Sequence, residues 1–204
     1  MTGGAVVLGA YLAGSLSFSY LIVRILRGED IRKLGSGNAG ATNVLRIVGI
    51  APAILVLFLD VGKGIVAVWA ARWLGVSPEI EGAAAVAAVV GHIFPIFFSF
   101  RGGKGVATAT GAMGSLTPLP ALLSLGVFLA VVLATRYVSV GSMIAVSLYP
   151  ALVWGSGALG WTAPPERWLL VSCVALAVLI VGKHYENVIS LRRGQEWKLG
   201  DPRG

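Results

Sequence analysis

Three polar stretches of this chain hold residue types that chemistry needs and simple connectors do not. The first is Gly35-Ser36-Gly37-Asn38-Ala39-Gly40-Ala41-Thr42-Asn43, closing on Val44-Leu45-Arg46. Glycine lets backbone N–H groups turn together toward an anion, so Ser36, Asn38, Thr42, Asn43 and Arg46 are candidates for holding a phosphate. A flexible linker is the plain alternative, and the spacing is not that of a P-loop, which places Lys directly after its second Gly. The second is Gly91-His92-Ile93-Phe94-Pro95, leading to Phe100-Arg101-Gly102-Gly103-Lys104-Gly105-Val106-Ala107-Thr108. Gly102 and Gly103 precede an expected helix start, where unpaired N–H groups and the helix dipole favour an anion. Lys104 adds a mobile charge, and Thr108 lies one turn further along. A tight turn competes with this reading. The third is Lys183-His184-Tyr185-Glu186-Asn187, running on to Arg192-Arg193-Gly194-Gln195-Glu196. His184 and Asn187 are three apart and share a helix face. His184 is the near-neutral ionisable group of that stretch, which makes it a candidate acid or base, against the alternative of an ordinary basic juxtamembrane helix.

The elements that carry these stretches must be membrane helices. Of 204 residues 56% are hydrophobic and 12% charged, with 16 Lys+Arg against 9 Asp+Glu and a net charge of +7. An ordinary soluble domain is nearer 25% charged, so a soluble enzyme, a disordered tail and a nucleic-acid binder are excluded. The basic excess suits loops facing anionic headgroups and anionic substrates. Apolar segments at Ala5–Leu26, Ala51–Ala71, Gly82–Phe100, Leu119–Thr135, Val138–Trp161 and Arg167–Gly182 are each candidate spans. The first has its leading basic residue, Arg24, at its far end, so it reads as an anchor with the N-terminus outside rather than a signal peptide.

Six crossings would divide the basic residues eight to seven between the two sides. Counting the short, Gly-rich 105–116 segment as a seventh puts thirteen on one side, Arg203 among them, and leaves only Arg72 and Arg167 opposite. Positive charge gathers in cytoplasmic loops, so the expectation is an all-α, polytopic bundle of seven helices, with the C-terminus and all three polar stretches in the cytoplasm. A re-entrant 105–116 would give the same sides. The chain reads as a single membrane domain over 1–204.

Asp60 and Lys63 lie three apart within the second span, where charge is costly, and are expected to satisfy one another as a structural pair. His92 is expected to tie its helix to a neighbour. The lone Cys173 forms no disulfide framework. His92 and His184 lie far apart without a carboxylate cluster, so no metal site is expected. No Gly-x-Ser-x-Gly elbow or His-x4-Asp pair occurs.

The three stretches, together with Asp60-Val-Gly-Lys-Gly64, resemble the motifs of the bacterial acyl-phosphate:glycerol-3-phosphate acyltransferases, the PlsY family. They fall in that family's order along nearly the whole chain; Ser190, where many members carry a basic residue, departs from it. The resemblance implies a multi-pass enzyme of the bacterial inner membrane whose active site faces the cytoplasm. It would transfer a fatty acyl group from acyl phosphate to the sn-1 hydroxyl of glycerol 3-phosphate, giving lysophosphatidic acid and phosphate. It implies no cofactor, and, beyond its two substrates and membrane lipid, a transient contact with the soluble enzyme that forms acyl phosphate. On this reading Arg46 and Lys104 recognise phosphate, and Ser36 and Asn38 supply neutral hydrogen bonds. Gly102 and Gly103 offer backbone donors to acyl phosphate, His184 and Asn187 orient glycerol 3-phosphate, and Glu196 secures the tail. The hydroxyl proton goes to His184 or to a substrate phosphate oxygen. The competing class is a transporter for a phosphorylated solute, but its polar sites would sit at the midplane of inverted repeats, and no repeat is visible here.

Overall fold

The computed structural model describes residues 2–202, and every described regular element is helical. Arg203 lies outside the described residues. The chain packs as two compact units, residues 2–116 and residues 117–201.

The first unit contains α1 (Gly3–Gly14), α2 (Phe18–Arg27), α3 (Ala41–Ile47), α4 (Ile50–Trp73), α5 (Pro78–Ile93) and α6 (Val106–Leu116). The expected first span is therefore interrupted. Ser15 turns its hydroxyl back onto the Tyr11 carbonyl at 2.9 Å, and Ser17 leaves helical geometry. Short hydroxyl side chains compete with the helix ladder in this way, and here they release the Leu16 carbonyl from it. α5 begins with Pro78 at its first turn, where a missing N–H costs nothing, and carries Glu79 and Glu81 near its positive end.

Backbones approach very closely in this unit. α1 meets α5 where Gly14 faces the Ala88 carbonyl, and α6 meets α4 where Gly111 faces the Val61 carbonyl. A Cβ on Gly111 would overlap that oxygen, so the contact exists only because no side chain intervenes. The run of small residues in 105–116 thus fits a short helix to a long one. Arg72 fastens the far end, pairing with Glu81 at 3.0 Å.

The second unit contains α7 (Pro118–Thr135), α8 (Val138–Ala158), α9 (Arg167–Gly182) and α10 (Tyr185–Arg192). α7 and α8 form a hairpin turned at Arg136, which adopts φ 63°. The C-terminal tail clasps this turn: Leu199 N–H donates to the Arg136 carbonyl at 2.8 Å, and Arg136 Nε donates to the Leu199 carbonyl at 2.9 Å. α9 and α10 are bent by 47° across Lys183 and His184.

Five stretches are long and apolar enough to cross a membrane: Gly3–Arg27, Ile50–Trp73, Pro78–Phe98, Pro118–Thr135 and Val138–Ala158. The bent α9–α10 pair makes a sixth. Large apolar side chains such as Phe58, Trp73, Leu133 and Val178 are strongly exposed, the pattern of helices solvated by lipid rather than water. α6, with 11 residues, extends only about 16 Å at helical rise.

Candidate active site

In the first unit, Asn43 organises the loop that precedes it. Its side chain is 2% exposed. Oδ1 accepts from the Ser36 N–H at 3.1 Å, and Nδ2 donates to the carbonyls of Leu34 and Asn38, both at 3.0 Å. Where the spacing offers Asn43 to a substrate, the fold commits its amide to the backbone around it. The N–H groups of Gly37 and Gly40 are likewise taken, by Leu34 and Asn38 carbonyls. The loop therefore ties three of its own N–H groups, those of Ser36, Gly37 and Gly40. It is a tied turn that presents side chains: Ser36 is exposed, while Asn38, Thr42 and Arg46 are half-buried.

Just upstream, Arg32 locks the loop to its surroundings. It pairs with Asp30 at 2.7 Å, donates to the Phe98 carbonyl at 2.8 Å and lies over the Tyr20 ring. The Arg32 guanidinium holds the Asp30 carboxyl below the ordinary carboxylate range. Nothing in the spacing of Arg32 announced this role; among the sequence signals it was simply one more basic loop residue.

The second stretch reaches its glycines through two non-glycine residues of left-handed backbone, Ser99 at φ 56° and Phe100 at φ 57°. Such residues cost on the order of 1–2 kcal/mol each, and this pair sits immediately before the polar loop. Gly102 and Gly103 differ from expectation in what they contribute. Their N–H groups donate to the carbonyls of Ile93 at 3.2 Å and His92 at 3.1 Å, so neither is a donor left over for acyl phosphate. Gly103 is required for another reason: a Cβ there would overlap His92 Nε2 and lie 2.7 Å from the Ala39 carbonyl oxygen. That contact brings the first and second polar stretches against one another. Lys104 follows, half-buried. Thr108 is fully buried with a hydroxyl lacking a hydrogen-bond partner, and its backbone packs on Gly64 of α4. Where the spacing offers Thr108 to a substrate, the fold buries its side chain at the α4–α6 contact.

Beneath the loops, Lys63 Nζ lies 2.8 Å from Asp60 Oδ1 and donates to the Leu16 carbonyl at 2.8 Å. His92 Nδ1 faces the same carboxylate oxygen at 3.4 Å, too long and off-line for a directed hydrogen bond. The Asp60–Lys63 pair lies where the spacing suggested, and it has acquired His92 and the freed Leu16 carbonyl as neighbours.

In the second unit, His184 is 2% exposed and its Nδ1 lies 2.8 Å from the Ile180 carbonyl. A carbonyl only accepts, so Nδ1 carries the proton and Nε2 is the basic nitrogen of the neutral ring. Glu196 Oε1 accepts from Asn187 Nδ2 at 2.7 Å and from the buried Ser139 hydroxyl at 2.5 Å. Asn187 is thus joined to the tail through Glu196. Ser139 was not legible as a partner, since it opens an apolar span with no motif around it. Among the described residues no group of His, Cys, Asp and Glu gathers to hold a metal ion.

Comparison with known proteins gives this arrangement a lineage. The glycerol-3-phosphate acyltransferase family pattern matches residues 4–194. A glycerol-3-phosphate acyltransferase of Halalkalibacterium halodurans is 43% identical over 202 residues, covering 97% of this chain and 96% of its own. One from Pectobacterium carotovorum is 45% identical, with 98% and 90% covered. The crystal structure of PlsY, an integral membrane glycerol 3-phosphate acyltransferase, in its glycerol 3-phosphate form superposes with a TM-score of 0.89 at 36% identity, covering 98% of this chain and 96% of that one. Its lysophosphatidic acid form gives 0.82 at 35% identity, with 97% and 95% covered. With the fold, the polar loops and these relatives in agreement, the chain belongs to the glycerol-3-phosphate acyltransferase family and is an integral membrane acyltransferase of phospholipid synthesis.

Proposed function

We propose that the acyl donor is an acyl phosphate and that the acyl group passes to the sn-1 hydroxyl of glycerol 3-phosphate. The observation that carries this reading is the contact of the two Gly-rich stretches at Ala39 and Gly103, which gathers in one unit the segments that carry Arg46 and Lys104. Both substrates bear phosphate, so two anions must be held while further negative charge develops on the acyl oxygen. Fixed cations and donors are the efficient answer. Arg46 and Lys104 supply the charge, Ser36, Asn38 and Thr42 the neutral hydrogen bonds. With Asn43 and Thr108 committed to the scaffold, they act behind the contact surface.

In the reaction the hydroxyl oxygen forms a bond to the acyl carbon, and the bond from that carbon to the phosphate oxygen breaks. Phosphate leaves with the electron pair. The hydroxyl proton goes to His184 Nε2 or to a phosphate oxygen of a substrate. Because an acyl phosphate is already an activated mixed anhydride, positioning supplies much of the rate. The basic-residue count supports seven crossings, the short α6 stretch among them, with the N-terminus outside and the loops facing the cytoplasm of a bacterial inner membrane, where a soluble enzyme would deliver the donor.

The test is phosphate release from palmitoyl phosphate by purified protein in detergent. Release that requires glycerol 3-phosphate and yields lysophosphatidic acid supports the reading. Acylation from palmitoyl-CoA but not from palmitoyl phosphate overturns the donor, and release without glycerol 3-phosphate makes the protein a hydrolase.

A further inference from the structure

An intramembrane Asp–Lys pair that only cancelled its own charge would need no third titratable neighbour. Here the pair is extended in both directions. On one side Lys63 is anchored by the Leu16 carbonyl, which the break between α1 and α2 has released. On the other, His92 of α5 presents Nδ1 to the same Asp60 oxygen that Lys63 approaches. The opposite edge of the imidazole, Nε2, lies so close to the Gly103 Cα that even a methyl group there would overlap it. The His92 and Ile93 carbonyls then take the N–H groups of Gly103 and Gly102. All three side chains are nearly excluded from solvent, at 2% for Asp60 and 6% for Lys63 and His92.

The imidazole is therefore a wedge with a carboxylate on one edge and the loop before Lys104 on the other. Packing alone would be met by any side chain of that volume. The Asp60 carboxylate 3.4 Å from Nδ1 and the Gly103 backbone against Nε2 confine the ring from its two edges, and the place of the ring sets the height at which Gly103 and the adjoining Ala39 carbonyl rest. We propose that His92 is a positioning residue for the acyl transfer: oriented by Asp60, and through Asp60 by Lys63, it sets the Gly102–Lys104 loop and the Ala39 segment that abuts it. This rests on the assignment of that loop to phosphate. Neither Asp60, Lys63 nor His92 touches substrate; each acts through the next.

The experiment compares three variants for KM toward glycerol 3-phosphate and palmitoyl phosphate, for kcat, and for thermal midpoint in detergent. His92→Leu keeps volume and removes both ring nitrogens. The double variant Asp60→Asn with Lys63→Met removes the charges together, so that no unpaired ion is left behind, and deprives His92 of its orienting partner. Lys104→Ala tests the loop itself. A loop displaced by a fraction of an ångström is expected to raise KM for at least one substrate about tenfold or more in the first two variants, with a smaller change in kcat. A merely structural cluster would lower the yield of folded enzyme while leaving both KM values unchanged, and that result overturns the proposal. Should His92→Leu not fold, the double variant decides; failure of both to fold assigns the cluster to stability and also overturns it. If Lys104→Ala raises KM and the other two do not, the positioning role alone fails. If Lys104→Ala leaves both KM values unchanged, the phosphate assignment of the loop fails with it.

Discussion

Replacing Asn43 by alanine strips three short hydrogen bonds from the loop between Ile31 and Ala41 in one step, those to the Ser36 N–H and to the Leu34 and Asn38 carbonyls, and with them a weak one of 3.5 Å to the Ile31 carbonyl. Each is worth about 0.5–1.5 kcal/mol net, whereas a partner stranded away from water would cost about 1–3 kcal/mol. Leu34, Ser36 and Asn38 all keep some exposed surface, so water can take up what the amide releases and the smaller figure applies. The three together come to roughly 1.5–4.5 kcal/mol. At tenfold per 1.4 kcal/mol, that is roughly ten- to a thousandfold faster hydrogen exchange at the Ser36 amide. The assay is hydrogen–deuterium exchange of peptides across 30–47 in detergent without substrate, with phosphate release measured alongside. Expected are loosened exchange in the substrate-free enzyme, retained helix content and reduced kcat/KM. If kinetics collapse while Ser36 exchange stays within about threefold of the parent, far below the range just worked out, Asn43 contacts substrate and the organising role is wrong.

Gly111→Leu forces a side chain onto the Val61 carbonyl and is expected to cost about 1–3 kcal/mol or more, lowering the thermal midpoint, while Gly126→Leu, which meets nothing within 4 Å, leaves it unchanged. Glu196→Ala severs the bonds from Asn187 and Ser139, each worth about 1.5–3 kcal/mol because the acceptor is charged. Trypsin should then cut at Lys198 faster than in the parent, and an unchanged cleavage rate contradicts the tail's attachment. Asp30, whose carboxyl Arg32 depresses, contributes stability that is full above the ordinary carboxylate pKa and is lost as pH falls through its lower folded value. Its share is at most about 1 kcal/mol for so solvent-accessible a pair, so Asp30→Asn should narrow the gap in thermal midpoint between neutral and acidic buffer without closing it. General-base catalysis is usually worth about 10²–10⁴ in rate, so His184→Ala retaining turnover within about tenfold at saturating substrate would give the proton to phosphate.

The membrane character, the spans and the three polar stretches were legible because they are written in composition and local spacing. So was the closeness of Asp60 and Lys63, which follows from helical periodicity alone. The break at Ser15–Ser17 was not, since apolar periodicity runs through it and only the hydroxyl competition for the Tyr11 carbonyl stops the helix. The partners of the glycines are not legible for a different reason. Sequence shows that backbone can turn at Gly102 and Gly103, but not that carbonyls 9 and 11 residues earlier take the N–H groups. The same limit hid Asn43, whose partners span Leu34 to Asn38, and Ser139, whose partner Glu196 lies 57 positions away.

The clasp between Arg136 and Leu199 also has an order in time. The two residues are 63 positions apart, so the arginine that turns the α7–α8 hairpin is made well before the carbonyl it will bind. At about 5–20 residues per second of synthesis, the interval is roughly 3–13 s. Throughout it the two partners that the folded unit gives this guanidinium, the Leu199 carbonyl and Asp201, do not yet exist. Only when the tail arrives is that charge drawn onto the Leu199 carbonyl and toward Asp201, 3.5 Å away. The hairpin thus turns on a residue that becomes a latch only when the last part of the tail has been made.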